Sequence, residues 1–159
     1  MMNTQIRVCL LTIFENISLR QLNISGQMIT VFKYLIGEAM DNIVDHSGVL
    51  NGWIMVQNYP QKGFLDICIL ETGIGVLGSY QKFNFPNIET DVQAIEQAIN
   101  GKSTKQITET RGYGIDTSRR MLVNGLKGKY CLLSGSAMYI YTNDFEQIVP
   151  LTRHIDWPG

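Results

Sequence analysis

The sequence predicts an α+β protein, a two-layer sandwich in which helices cover one face of a mixed, mostly antiparallel sheet. Three observations predict it. A long helical periodicity runs from Met28 to Ile43; strand-like runs come in pairs, each pair joined by a tight turn; and the helices fall before and between those pairs. Neighbouring antiparallel strands kept apart from helices give a two-layer α+β arrangement, whereas a parallel α/β sheet needs a crossover after each strand.

The bulk numbers fit one folded domain spanning residues 1–159. With 159 residues, 45% hydrophobic and 17% charged, the chain can bury a core and is not of disordered composition. Its net charge is −1 and no stretch gathers Lys and Arg into a stripe. Nucleic acid is therefore not an expected partner, since phosphate neutralisation needs a concentrated positive face. No apolar run approaches the roughly 20 residues that span a bilayer, so no membrane segment is expected. The run Val8 to Phe14 after Arg7 lacks a small-residue cleavage site and reads as a core element, not a signal sequence. Cys9, Cys68 and Cys131 are far apart and lie in or beside apolar runs. They are expected to be buried, reduced thiols of a cytoplasmic protein.

Residues Met1 to Ile24 are ambiguous between strand and helix. From Ser25, an expected N-cap, Met28, Phe32, Leu35, Ile36, Ala39 and Ile43 recur at helical spacing, and Gly48 supplies a stop. Gly52 to Tyr59 and Phe64 to Leu70 read as a hairpin around Pro60-Gln61-Lys62-Gly63. Residues 77–111 are mixed, broken by Phe85-Pro86-Asn87. A short helix is expected from Asp91 to Ile99, and the polar stretch Asn100 to Glu109 is expected to be mobile. A further helix from Tyr113 to Leu122 precedes strands at Lys129 to Ser134 and Met138 to Thr142.

Three segments carry chemistry. On the first helix, Glu38, Asn42 and Asp45 stand at i, i+4 and i+7 and form one polar stripe beside the apolar face. A carboxylate one turn from an amide suits a hydrated divalent cation whose remaining ligands are phosphate oxygens; the bland alternative is a solvated helix face. Glu71-Thr72-Gly73-Ile74-Gly75 ends a strand in an acid followed by Gly-x-Gly. Such a turn sets a carboxylate, able to accept from an exocyclic amino group, beside a backbone open to a planar ligand; an ordinary glycine turn is the alternative. Arg111-Gly112-Tyr113-Gly114-Ile115 opens a helix, where backbone N–H groups favour an anion. Gly101-Lys102-Ser103-Thr104 imitates the tail of a P-loop, but Glu96 stands where that motif needs glycine.

In this order and spacing the segments resemble the Bergerat-type ATPases, the gyrase, histidine-kinase and MutL superfamily. Glu38 and Asn42 match the family's N box, E-x-x-x-N. Glu71-Thr72-Gly73-Ile74-Gly75 matches the first glycine box, D-x-G-x-G, with Glu71 replacing the aspartate. Gly112-Tyr113-Gly114-Ile115 matches the second glycine box. The resemblance covers about Ser25 to Ser134.

The resemblance implies ATP and Mg²⁺ as ligands. Asn42 would ligate Mg²⁺ bridging the phosphates, and Glu38 would be the general base. Glu71 would meet the adenine amino group, Gly73 and Gly75 would admit the base, and Gly112, Tyr113 and Gly114 would wrap the triphosphate; Asp45 would be a pocket neighbour. The resemblance also implies slow ATP hydrolysis or phosphoryl transfer to a protein, as in anti-sigma-factor serine kinases, with a protein partner or a second copy. A degenerate interaction module with a vestigial pocket is the alternative. The family's last strand usually follows a Gly-Thr pair, and Trp157-Pro158-Gly159 falls where it would begin; a truncated member, a diverged one or part of a longer protein each fit this, and a missing strand would leave an open sheet edge.

Overall fold

The computed structural model describes residues 11–16, 26–49, 51–102 and 114–151. Helix α1, Gln27–His46, is the central strut. Ile29, Phe32, Ile36 and Met40 are buried at spacings of three and four, which places them on one face. Met28, expected in that stripe, points away and is 42% exposed. Gly26 is the N-cap, at φ 63, with no side-chain cap bond; the expected cap, Ser25, lies outside the described residues. At the other end the Ser47 N–H donates to the Ile43 carbonyl at 3.2 Å, and Gly48 at φ 77 turns the chain away. The helical residues 11–16 lie alongside α1: Phe14 packs on Ile29 and Phe32, and Lys33 pairs with Glu15 at 2.7 Å.

Strands β1, Gly52–Tyr59, and β2, Phe64–Glu71, form the expected hairpin, in antiparallel register from Gly52 opposite Glu71 to Tyr59 opposite Phe64. Pro60 opens a single 3₁₀ turn and Gly63, at φ 69, closes it. Alternation sends Leu65 and Ile67 of β2 onto Ile29 and Phe32 of α1. The opposite face of the hairpin is uncovered, with Trp53 52% and Met55 68% exposed.

This alternation corrects the expectation for the cysteines. Cys68 and Cys131 are both free and exposed, because each occupies an outward position of its strand. An apolar run is buried only on the side that a helix covers. Cys9 lies outside the described residues.

Helix α2, Gly75–Lys82, was not expected within the mixed region. Two glycines in eight residues hide it from propensity, and packing supplies the rest: Tyr80 buries against Ile88, Ala94 and Phe85. Helix α3, Asp91–Ile99, has the expected bounds, and Thr90 and Gln93 form a reciprocal capping box. Of the polar stretch after it, residues 103–109 lie outside the described part of the chain. Helix α4, Gly114–Arg120, runs into a π turn, Met121–Gly125. Tyr113, expected in this helix, lies outside the described residues.

Strands β3, Tyr130–Ser134, β4, Ala137–Tyr141, and β5, Glu146–Pro150, form an antiparallel meander in that order. β5 was not expected. The β3–β4 turn needs glycine at 135, where φ is 54 and a Cβ would overlap the Asp91 carboxylate. That carboxylate is fixed by accepting from Ser136 N and Oγ, each at 2.9 Å. Ile95 and Ile99 of α3 bury against Ala137 and Tyr139 of β4. The α+β class therefore holds, but the described residues contain two small antiparallel sheets rather than one mixed sheet. Among them no helix is long and apolar enough to cross a membrane.

Two buried phenols, Tyr80 and Tyr139, and the half-buried Tyr130 make stability sensitive to alkali. Burial pushes Tyr80 and Tyr130 up to about 12, and Tyr139 is also raised, by burial and by donating to Glu146. Folded protein thus keeps protons that unfolded tyrosine releases near pH ~10. Stability is intact below that pH and falls as pH rises toward ~12, by up to about 1.4 kcal/mol per pH unit for each such tyrosine. The urea midpoint should be clearly lower at pH 11 than at pH 9; an unchanged midpoint contradicts this.

Candidate functional site

Gly73 and Gly114 seat against the C-cap of α1 and against α1 itself. Glu38, Asn42 and Asp45 are all half-buried and share one stripe of the helix, on the side away from Ile29, Phe32, Ile36 and Met40. Gly114, the first residue of α4, lies against this stripe. A Cβ there would stand 2.5 Å from Glu38 Oε2 and 3.9 Å from Asn42 Nδ2. The missing side chain is what admits the Glu38 carboxylate. Since that carboxylate ends a flexible side chain, an added methyl would displace it without unseating the helix.

Gly73 is more tightly held. A Cβ there would overlap the Ser47 carbonyl oxygen and stand 2.6 Å from both Ser47 Cβ and Glu71 Oε2. The same carbonyl accepts from Ile74 N at 2.8 Å. Here the obstruction is backbone and cannot swing aside. Ser47 is itself braced: its hydroxyl donates to the Ile43 carbonyl and lies 3.1 Å from both Val49 O and Val49 N. From the other side, Ser134 Oγ at the end of β3 accepts from Val76 N at 2.9 Å. That bond satisfies one of the orphan N–H groups at the start of α2. Gly75, at φ 66, makes the turn into the helix.

Glu71 turns inward, its carboxylate accepting from the Gly73 N–H. One carboxylate carries two oxygens and about four acceptor sites, so this bond leaves acceptor capacity for a ligand. Gly112 and Tyr113 lie outside the described residues.

Glu38 and the C-cap Ser47 are nine positions apart, about 13.5 Å in rise at 1.5 Å per residue and half a turn apart around the helix axis. An open depression of about 750 Å³ borders the first turn, lined by Gly73, Ile74, Gly78, Gln81 and Lys82. Of the expected site residues only Gly73 lines it. Glu38 Oε2 instead lies against Gly114, with Asn42 Nδ2 beside it.

The donor set bears on metal binding. Among the described residues no three His, Cys, Asp or Glu side chains form a group able to hold a metal ion. A cation at Asn42 would thus take few protein ligands and depend on ligand oxygens, which suits Mg²⁺ rather than Zn²⁺.

Compared with protein-family models, curated proteins and solved structures, the chain matches none. The site must be judged on its own geometry.

Two contributors were missed from sequence. Ser47 receives the first glycine turn, and Ser134 caps the helix that follows it. Both are serines immediately before a glycine at a chain reversal, Ser47-Gly48 and Ser134-Gly135. Only the stop was legible there, not the docking.

The two seats predict unequal costs. Gly73→Ala collides with backbone and should destabilise by about 1–3 kcal/mol, as overpacking does. In Gly114→Ala only a carboxylate moves, and up to about 1 kcal/mol of gained helix propensity offsets it, leaving stability near the parent's. Urea unfolding of the two variants checks this. Equal losses would contradict it.

Proposed function

We propose that the chain is an Mg·ATP-binding domain of the Bergerat type, with slow ATP hydrolysis or phosphoryl transfer to a protein. One observation carries this: Glu38 of the N box lies against Gly114 of the second glycine box, more than 70 residues away in sequence, with Asn42 beside it. A helix-borne carboxylate and amide facing a side-chain-free helix start is what a triphosphate with its cation needs. Asn42 would hold Mg²⁺, which when bound would neutralise phosphate charge. Glu38 would accept the proton of an attacking water or hydroxyl as its oxygen bonds to the γ-phosphorus and the bond to the β–γ bridging oxygen breaks. Glu71, one methylene longer than the family's aspartate, reaches adenine from a carboxylate already anchored on Gly73.

A second reading, a protein-interaction module with a vestigial pocket, is favoured by that same anchoring. A Glu71 carboxylate tied to its own turn stabilises the turn whether or not a purine binds.

Ligand-linked stability separates the two. A ligand selective for the folded state at 100 times its Kd stabilises by about 2.7 kcal/mol. Millimolar Mg·ATP should raise Tm measurably, ATP with EDTA should raise it less, and Asn42→Ala should abolish the difference between them. No shift with Mg·ATP would remove nucleotide binding and leave the interaction module.

A further inference from the structure

The Arg119 side chain of α4 is only 8% exposed, and its guanidinium is bound on every side. Nε donates to Asp116 Oδ1 at 3.0 Å, and Nη2 lies 2.8 Å from the same oxygen. Nη1 donates to Tyr139 Oη at 2.9 Å and to Glu146 Oε1 at 3.0 Å, while Nη2 also reaches the Ile99 carbonyl at 3.3 Å. All five guanidinium N–H groups are thereby used. The partners come from four places: the first turn of α4, the last residue of α3, β4 and β5. Tyr139 donates in turn to Glu146 Oε1 at 2.8 Å, closing the network. The Tyr141 ring lies beneath the guanidinium, 5.1 Å from its carbon.

Arg119 does not touch Glu38 or Asn42. It lies on the helix whose first residue, Gly114, does. Resting on the nucleotide reading above, we propose that Arg119 is a positioning residue that fixes the seating of α4 on α1 and thereby the phosphate side of the site. Its fork bonds α4 at once to the end of α3 and to two strands of the second sheet. Those bonds set where Gly114 stands relative to Glu38 and Asn42. A lysine, with three donors on one nitrogen, can satisfy one or two of these partners but not the planar set.

The test uses the full chain with Arg119→Lys and, because that change could disturb folding, Tyr139→Phe, which deletes one bond at nearly constant shape. Two quantities are read: hydrogen exchange of the α4 amides, and the ratio of ATP affinity with Mg²⁺ to ATP affinity with EDTA. In Arg119→Lys, α4 amides should exchange about tenfold faster while those of α1 and α3 hold, the loss expected for a charged hydrogen bond. The Mg²⁺-dependent gain in affinity should fall by a similar factor, with metal-free affinity nearly unchanged. Tyr139→Phe should move both in the same direction, by less. Unchanged α4 exchange in Arg119→Lys overturns the proposal, as does a uniform loss across α1, α3 and α4. If the parent binds no ATP, the nucleotide reading fails and exchange alone decides whether Arg119 seats α4.

Discussion

The arrangement depends on two places where a side chain is missing. At Gly73 the chain lies so close to the Ser47 carbonyl that a methyl group would overlap it, and at Gly114 a methyl would meet the Glu38 carboxylate. Both contacts are made to α1, which packs its apolar face on Leu65, Ile67 and Phe14 through Ile29 and Phe32. The hydrophobic face holds the helix, and the helix then serves as the ruler for both turns: Glu38 on its polar side meets Gly114, and its C-cap Ser47 receives Gly73. Without glycine at these points, the first turn would be pushed off the helix and Glu38 would be turned out of its place.

The surroundings keep that ruler fixed. Ser47 is braced within its own turn, and Ser134 reaches from the second sheet to the start of α2. Arg119 joins α3, α4, β4 and β5 through a single guanidinium. Burial opposes its charge, but Tyr139, Glu146 and Asp116 outweigh that and hold its pKa above the ordinary value. A buried cation with every donor occupied is costly to rearrange, because any loosened partner leaves polar groups unpaired. This rigidity belongs to the walls. Glu38 and Glu71, which meet the two glycines, are by contrast carboxylates at the ends of flexible stems.

Much of the fold was legible because it rests on local signals. The period of α1, the Pro60–Gly63 turn and the Thr90–Gln93 box each act within a few residues, and the corresponding elements appear with nearly the expected bounds. What was not legible depends on tertiary contact. Helix α2 carries two glycines and is held by Tyr80 and Ser134 rather than by propensity. The cysteines were misjudged because an apolar strand does not announce which of its faces a helix will cover. For the site, sequence order and glycine spacing singled out Glu38, Asn42, Gly73 and Gly114, all of which lie on or against α1. The inward turn of Glu71 and the bracing by Ser47 follow from close packing and have no sequence signature.

The proposed function requires one ligand to reach both Gly73 and Gly114. It is tested most directly by following the backbone amide resonances of these two glycines during a titration with Mg·ATP. Both should shift along the same saturation curve, giving one shared Kd, because one molecule contacts both ends. Shifts confined to one glycine, or no shift at either at saturating nucleotide, would contradict it.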